Sequence, residues 1–405
     1  MAHVREVVEK ALSSGNGILR LEPAWVARDF LPPGRRLGLK ESEYAVGERG
    51  FICERWIGSI TKADNRIGPP DEGMSYLALD GHRVTLHAAV EAAGDLVMGA
   101  AYAKTHKNLG RLAKIFDYGE RLPYHIHQSQ EDMARQGKNS KEEAYYFPEG
   151  VDMGKHPETF FGVHPSIVEN KQQDLLLPDL VEWKDDRILR HARAYLQWPG
   201  EGFHLPAGGL HAPGTALTIE LQENSDVFAM LQAQIGAYHI SKDLLWKDVL
   251  PEDRQKLGER AVLNQVDWIL SGDPYFYENR HTSAQPVAGT KQAGGEEFWI
   301  YYNTTKFSGK KLVVKPGKTF TSLDRGVYNI LVWRGKGRYD GHEVEAGNFG
   351  LDACLDELLV THEKAVTPIP VENTGSQDLV LFKFFGPDIN PDVPKIPVYK
   401  NSSEN

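Results

Sequence analysis

The sequence predicts a mainly β protein, built as sandwiches or barrels of short strands and interrupted by one helical stretch. Three observations predict it. From Phe51 onward short apolar runs recur, each bounded by Gly, Pro, Asp or Asn. Their Val, Ile, Tyr, Phe and Trp content favours strand, and regular short strands with turn signals indicate a sandwich or barrel. The composition, 41% hydrophobic and 25% charged over 405 residues, is that of an ordinary folded chain, and this length allows about two or three domains.

The elements follow in order. Residues 4–12 have helical spacing, and Gly15-Asn16-Gly17 stops them. Pro23, Pro32, Pro33 and Gly34 punctuate an irregular entry. Strands are expected over 84–88, 144–147, 216–221, 298–302, 329–333 and 379–385. A helical insert is expected at about 240–272, where Pro251 precedes two acids in a first turn and Gly272 provides a stop. Residues 281–295, rich in Gly, Ala, Thr and Gln, read as a linker. Pro387, Pro391, Pro394 and Pro397 predict an extended, partly mobile tail. The expected organisation is an N-terminal unit over 1–235, insert and linker over 236–295, a C-terminal unit over 296–390 and the tail over 391–405.

The net charge of −10 argues against a nucleic-acid sleeve or a polybasic membrane face. Cys53 and Cys354 are too few for a disulfide framework, so a reducing compartment is the simpler expectation. The start of the chain lacks a signal-peptide apolar core, and the best apolar stretch, 86–102, is broken by Glu91 and Asp95. A cytoplasmic protein is expected.

Three blocks carry chemistry. The first runs from Gly119 to His125-Ile-His127, the second from Lys141-Glu142-Glu143 to Gly150, and the third from Gly200 through Pro206 and Gly208 to His211. In a strand, residues i and i+2 share a face, so His125 and His127 offer two imidazoles to one ion. A carboxylate and a third imidazole from neighbouring strands would complete a cage with open positions, which is a catalytic layout rather than a structural one. Imidazole and carboxylate suit zinc, iron, manganese or nickel. Glu142 is an alternative to Glu143 but faces the other side of its strand. His204 has no expected metal role.

These blocks resemble the cupin superfamily. Its first motif, Gly, five residues, His-x-His, a gap, Glu, six residues, Gly, is met by Gly119, His125, His127, Glu143 and Gly150, with a long polar loop in the gap. Its second, Gly, five residues, Pro-x-Gly, two residues, His, is met by Gly200, Pro206, Gly208 and His211. Within cupins the chain resembles class I mannose-6-phosphate isomerases over roughly residues 20–230. Glu54-Arg-Trp56-Ile-Gly-Ser59, Leu112-Ala-Lys114-Ile-Phe-Asp117, Lys141-Glu-Glu143 and Glu220-Leu-Gln-Glu-Asn-Ser225-Asp226 look like the family's blocks.

The resemblance implies a bicupin of two jelly-roll β-barrels and a metal-dependent aldose–ketose isomerase acting on a sugar or sugar phosphate. It implies His125, His127, Glu143 and His211 as ligands of one divalent ion, zinc in the first instance. Isomerisation moves a proton between adjacent carbons and needs an electrophile on the oxygen that becomes anionic. Glu220 is the candidate proton shuttle and Lys141 the candidate anion stabiliser. Lys114 is a candidate cation, and Trp56, Tyr146 and Trp198 are candidate stacking surfaces, for the substrate. The sequence departs from the family where His125 replaces Gln, Pro123 replaces a serine and Met230 replaces an arginine. Lys242 and Arg280 are further cations that can replace the lost ones. In the second half, Leu323, Arg325 and Tyr328 stand where a cupin places metal ligands, so a metal-free partner barrel is expected. A cupin dioxygenase or oxidase and a non-catalytic sugar-binding cupin are the competing functions. No nucleic-acid or membrane partner is expected.

Overall fold

Alternation of side chains along each strand, apolar on both faces in the central strands, sets how the sheets stack. The computed structural model describes residues 1–400. The N-terminal half carries β1 (Ile18–Arg20), β2 (Ala24–Arg28), β3 (Phe51–Ile57), β4 (Arg111–Phe116), β5 (His125–Ile126), β6 (Glu143–Tyr146), β7 (Glu158–Val163), β8 (Ala192–Leu196), β9 (Glu201–Leu205), β10 (His211–Ala212), β11 (Thr218–Glu223) and β12 (Ala229–Met230). A small hairpin, β13 (Gln234–Ile235) and β14 (Tyr238–His239), follows. The C-terminal half carries β15 (His281–Ser283), β16 (Gln285–Pro286), β17 (Gly295–Tyr301), β18 (Ser308–Val314), β19 (Thr319–Ser322) and β20 (Tyr328–Arg334). It ends with β21 (Lys336–Tyr339), β22 (His342–Glu345), β23 (Glu357–Val360), β24 (Ile369–Asn373) and β25 (Leu379–Phe385).

All the pairings are antiparallel, and the sheets are open rather than closed. A seven-stranded sheet, β15-β9-β6-β11-β4-β3-β2, faces a five-stranded one, β12-β5-β10-β7-β8. A second seven-stranded sheet, β1-β23-β20-β25-β18-β17-β16, accompanies a four-stranded one, β19-β24-β21-β22. The two large sheets meet back to back. Ile57, Ala113, Ile115, Ala144, Tyr146, Ile219 and Leu221 from the first pack with Tyr301, Leu331, Phe382 and Phe384 from the second. Arg55 crosses this seam to Asp356 at 2.6 Å and Glu357 at 3.1 Å.

Helix α1 (Ala2–Ser14), β1 and α2 (Leu86–Met98) share one core with the second large sheet. The stretch 84–88, expected as strand, is the start of α2. Thr85 caps it by accepting from the Ala88 N–H at 3.1 Å. Alanine-rich sequence and buried positions at Leu86, Ala89, Val90, Ala93 and Val97 follow helical periodicity, which overrides the local β-branched signal. Short helices over Pro251–Leu257, Arg260–Leu263 and Trp268–Ser271 lie within 240–272, and a further one, Phe276–Arg280, lies beyond it.

The expected linker 281–295 instead supplies β15 to the first large sheet and β16 to the second, so it ties the two together. Residues 391–400 have no regular structure but are pinned. The Asn303 N–H donates to the Pro394 carbonyl at 3.0 Å and its Oδ1 accepts from the Ile396 N–H at 2.9 Å, while Asn279 Oδ1 accepts from the Tyr399 N–H at 2.7 Å. The rest of the expected tail, 401–405, lies outside the described residues. No helix is long and apolar enough to cross a membrane among the described residues.

Candidate metal centre

The strand registers assemble the centre. On β6 and β11, residues of one parity face the smaller sheet, and they include Glu143, Tyr145, Glu220 and Gln222. Glu220 stands opposite Lys114 on one side and Tyr145 on the other, and Gln222 stands opposite Glu143. Trp56 continues the first row beyond Lys114. From the facing sheet, His211 pairs in register with His125. The turn that delivers His211 contains Gly208 at φ +84, where a Cβ would stand 2.9 Å from that of Asp267, so glycine is required. The Gly208 N–H donates to the His127 carbonyl at 2.7 Å, locking this turn to the first histidine pair.

The imidazole nitrogens of His125, His127 and His211 that could hold an ion all lie within 4.8 Å of one another, and all three side chains are buried. Each Nδ1 sits against a carbonyl oxygen, Pro123 at 2.6 Å, Val227 at 2.7 Å and Gly209 at 2.9 Å. A carbonyl only accepts, so each Nδ1 carries the proton and each Nε2 presents its lone pair inward. Glu143 lies 3.0 Å from both the His127 and the His211 Nε2. Its Oε2 and the His211 Nε2 are buried without a hydrogen-bond partner. Inward lone pairs, a carboxylate between them and orphaned donor atoms fit a divalent ion.

The electrostatics separate two carboxyls. Burial alone would raise Glu143, but the Lys141 ammonium and the two imidazoles hold it well below the usual range. The Lys141 Nζ is 2.9 Å from Glu143 and from the His127 Nε2. Burial pushes Glu220 up to about 7, against the opposing pull of Lys114 at 3.3 Å and Lys141 at 3.4 Å. Burial holds the His125 imidazole well below its ordinary value and His127 at about 3, so both stay neutral. Two carboxyls pushed apart in this way suit one permanent anion and one proton carrier.

An ion network backs the centre. Arg28 is shared between Glu54 at 2.9 Å and Asp226 at 3.1 Å, and Glu54 also accepts from the Trp56 indole at 2.7 Å and from the Tyr118 hydroxyl. Burial would raise both carboxyls, but Arg28 and Lys114 hold Glu54 down at about 2, and Arg28 and Lys247 hold Asp226 well below its usual value. A depressed carboxyl stabilises the fold above its unfolded value, and this contribution is lost as pH falls through the folded one. The urea midpoint is therefore expected to fall between about pH 4 and pH 2. Glu54→Gln is expected to flatten that fall by about 3 kcal/mol. An unchanged acid limb in the variant would contradict the pairing.

No protein-family model and no curated protein sequence matches the chain. Solved structures do. The mannose 6-phosphate isomerase from Bacillus subtilis is 14% identical, with a TM-score of 0.57 over 91% of this chain and 99% of its own. A variant of phosphomannose isomerase from Salmonella typhimurium is 12% identical, with a TM-score of 0.58 over 92% of this chain and 100% of its own. A zinc-bound mannose 6-phosphate isomerase is 12% identical, with a TM-score of 0.57 over 92% and 100%. The chain has the phosphomannose isomerase-like fold.

Within this phosphomannose isomerase-like fold the candidates read from sequence are distributed unevenly. His125, His127, Glu143, His211, Lys141, Glu220 and Lys114 converge, all buried between the two N-terminal sheets. Trp56 is wholly buried, packed with Ala24, Val26, Ala63 and Leu112 and with Gly73 under its ring, so its face is covered. Tyr146 points to the seam between the large sheets. Trp198 is exposed, and Lys242 pairs with Glu259 at 2.7 Å. His204 turns away from the centre and hydrogen-bonds Glu142 at 2.9 Å, which places Glu142 on the opposite face from Glu143. Sequence reasoning missed Tyr145, whose hydroxyl donates to Glu143 Oε1. Its spacing of two from Glu143 was the available signal. It also gave no role to Arg28, which no motif marks.

Proposed function

We propose that the chain is a metal-dependent aldose–ketose isomerase of the mannose-6-phosphate isomerase type, acting on a sugar or sugar phosphate. One observation carries the reading: Glu220, with its carboxyl shifted to about 7, stands between two ammoniums beside a buried His₃Glu set. The ligands in this reading are His125, His127, Glu143 and His211, and zinc is the proposed ion. A divalent ion held there would supply positive charge to the oxygen that becomes anionic in the enediolate.

The chain's own groups do the rest. Glu220 carries the proton between adjacent carbons, and its raised pKa suits both taking and returning it. Lys141 donates to the developing oxyanion, and Lys114 holds the Glu220 carboxylate in place. Tyr145 and the three backbone carbonyls orient the ligands. The sheet pairs are proposed as two jelly-roll cupin halves, with the helices between them as the insert and a cytoplasmic, soluble setting.

Glu220→Gln is expected to retain metal and to lose turnover by about 100-fold or more. Turnover equal to the parent would remove Glu220 from its role. Oxygen uptake by the iron- or manganese-loaded protein, without ketose formation, would replace the isomerase reading with an oxidase.

A further inference from the structure

We infer that the substrate is an uncharged sugar rather than a phosphate ester; this rests on the isomerase reading and narrows it. The ionised groups around the imidazoles form one chain in which each cation already has an acid. Lys141 serves Glu143 and Glu220, Lys114 serves Glu220 and Glu54, and Arg28 serves Glu54 and Asp226. Farther out, Lys247 lies 2.8 Å from Asp64 and 3.1 Å from Asp248, and Lys138 pairs with Asp248. Five cations thus face six carboxylates. A phosphate dianion held by these side chains, rather than by the proposed ion, must draw a lysine or arginine from its carboxylate and leave buried negative charge unpaired, which is strongly unfavourable.

The group left over points the other way. Gln222 Oε1 is buried and accepts no hydrogen bond, whereas Glu220 Oε1 and Glu143 Oε2 already face the Lys114 and Lys141 ammoniums. Gln222 spends its amide N–H groups on the Ser225 and Glu223 carbonyls, so its oxygen alone is available. It stands opposite Glu143 across the ladder, on the same face of β11 as Glu220. The unmet capacity is therefore acceptor capacity. A sugar hydroxyl can donate to this oxygen, whereas a phosphoryl group, which only accepts, cannot be what meets it. The residues beside His125 add nothing for an anion. Pro123 has no N–H, and Met230, buried directly opposite His125 on β12, is apolar.

The test uses the metal-loaded protein and a panel of aldose–ketose pairs, each supplied as the free sugar and as its terminal phosphate. Turnover, exchange of the C2 proton with deuterium by NMR, and calorimetric binding of each sugar are read together. At least one free sugar is expected to bind and exchange, with kcat/KM at least about ten-fold above its phosphate. Excess inorganic phosphate is expected to leave that binding unchanged. Gln222→Leu is expected to raise KM for the free sugar about ten-fold at unchanged metal content. Phosphate esters turned over as well as or better than free sugars would overturn the inference and leave the isomerase reading standing. Exchange with no sugar in either form would overturn both.

Discussion

Lys383→Met is expected to destabilise the protein by about 3–5 kcal/mol. Lys383 lies midway along β25 with no exposed surface, among Leu379, Leu381 and Phe385 of the inner core. Its Nζ reaches Asp324 at 2.7 Å, Ser322 at 2.6 Å and Glu297. Lys310, directly opposite it on β18, reaches Asp324 at 2.6 Å and Glu297 at 3.5 Å. Two like charges in register repel, so the pair of lysines is tolerable only with both acids present. Burial would raise Asp324, but the two ammoniums hold it at about 2. Removing Lys383 strands two carboxylates on one cation in a dry interior. Urea denaturation measures the loss, and Lys383→Met combined with Glu297→Gln should recover part of it. A single variant with the parent's midpoint would show that the cluster contributes nothing to stability.

His127→Ala and His211→Ala are each expected to lose the metal. Altering an outer-shell partner of a ligand already weakens metal binding by about 10–100-fold, and removing a ligand costs at least as much. The three imidazoles lie so close together that each supplies one of few donors. His204→Ala is the matched control, because His204 faces Glu142 and Asn303 on the other side of β9. Elemental analysis and the visible spectrum of the cobalt-substituted protein read the outcome, and circular dichroism checks that the fold persists. Stoichiometric metal in both variants would remove the site assignment.

What could be read from the sequence was what local spacing encodes. His125 and His127 share a face by strand geometry, and Pro206 to His211 fixes a turn whose glycine the structure requires. The runs at 144–147, 329–333 and 379–385 fall on β6, β20 and β25 because their apolar content matches sheets buried on both faces. Residues 84–88 misled because five residues cannot distinguish a strand from the first turn of a helix. Arg28, Glu54 and Asp226 were opaque as a unit, since their pairing joins segments far apart in sequence. Lys383 stood in plain view as one charge in a seven-residue apolar strand, yet its partners lie 59 and 86 residues away. The burial of Trp56 depends on Gly73 and on tertiary packing, which no motif records.

The pairing of β1 with β23 has a consequence for biosynthesis. Ile18, Leu19 and Arg20 align with Val360, Leu359 and Leu358, so this strand waits for a partner that is synthesised far later along the chain. Until then its hydrogen-bonding edge and the apolar faces of α1 and α2 have no sheet to cover them. Closing so long a loop belongs late on the folding route. A fragment that begins after residue 21 would leave β23 as a bare sheet margin, prone to recruit a strand from another molecule.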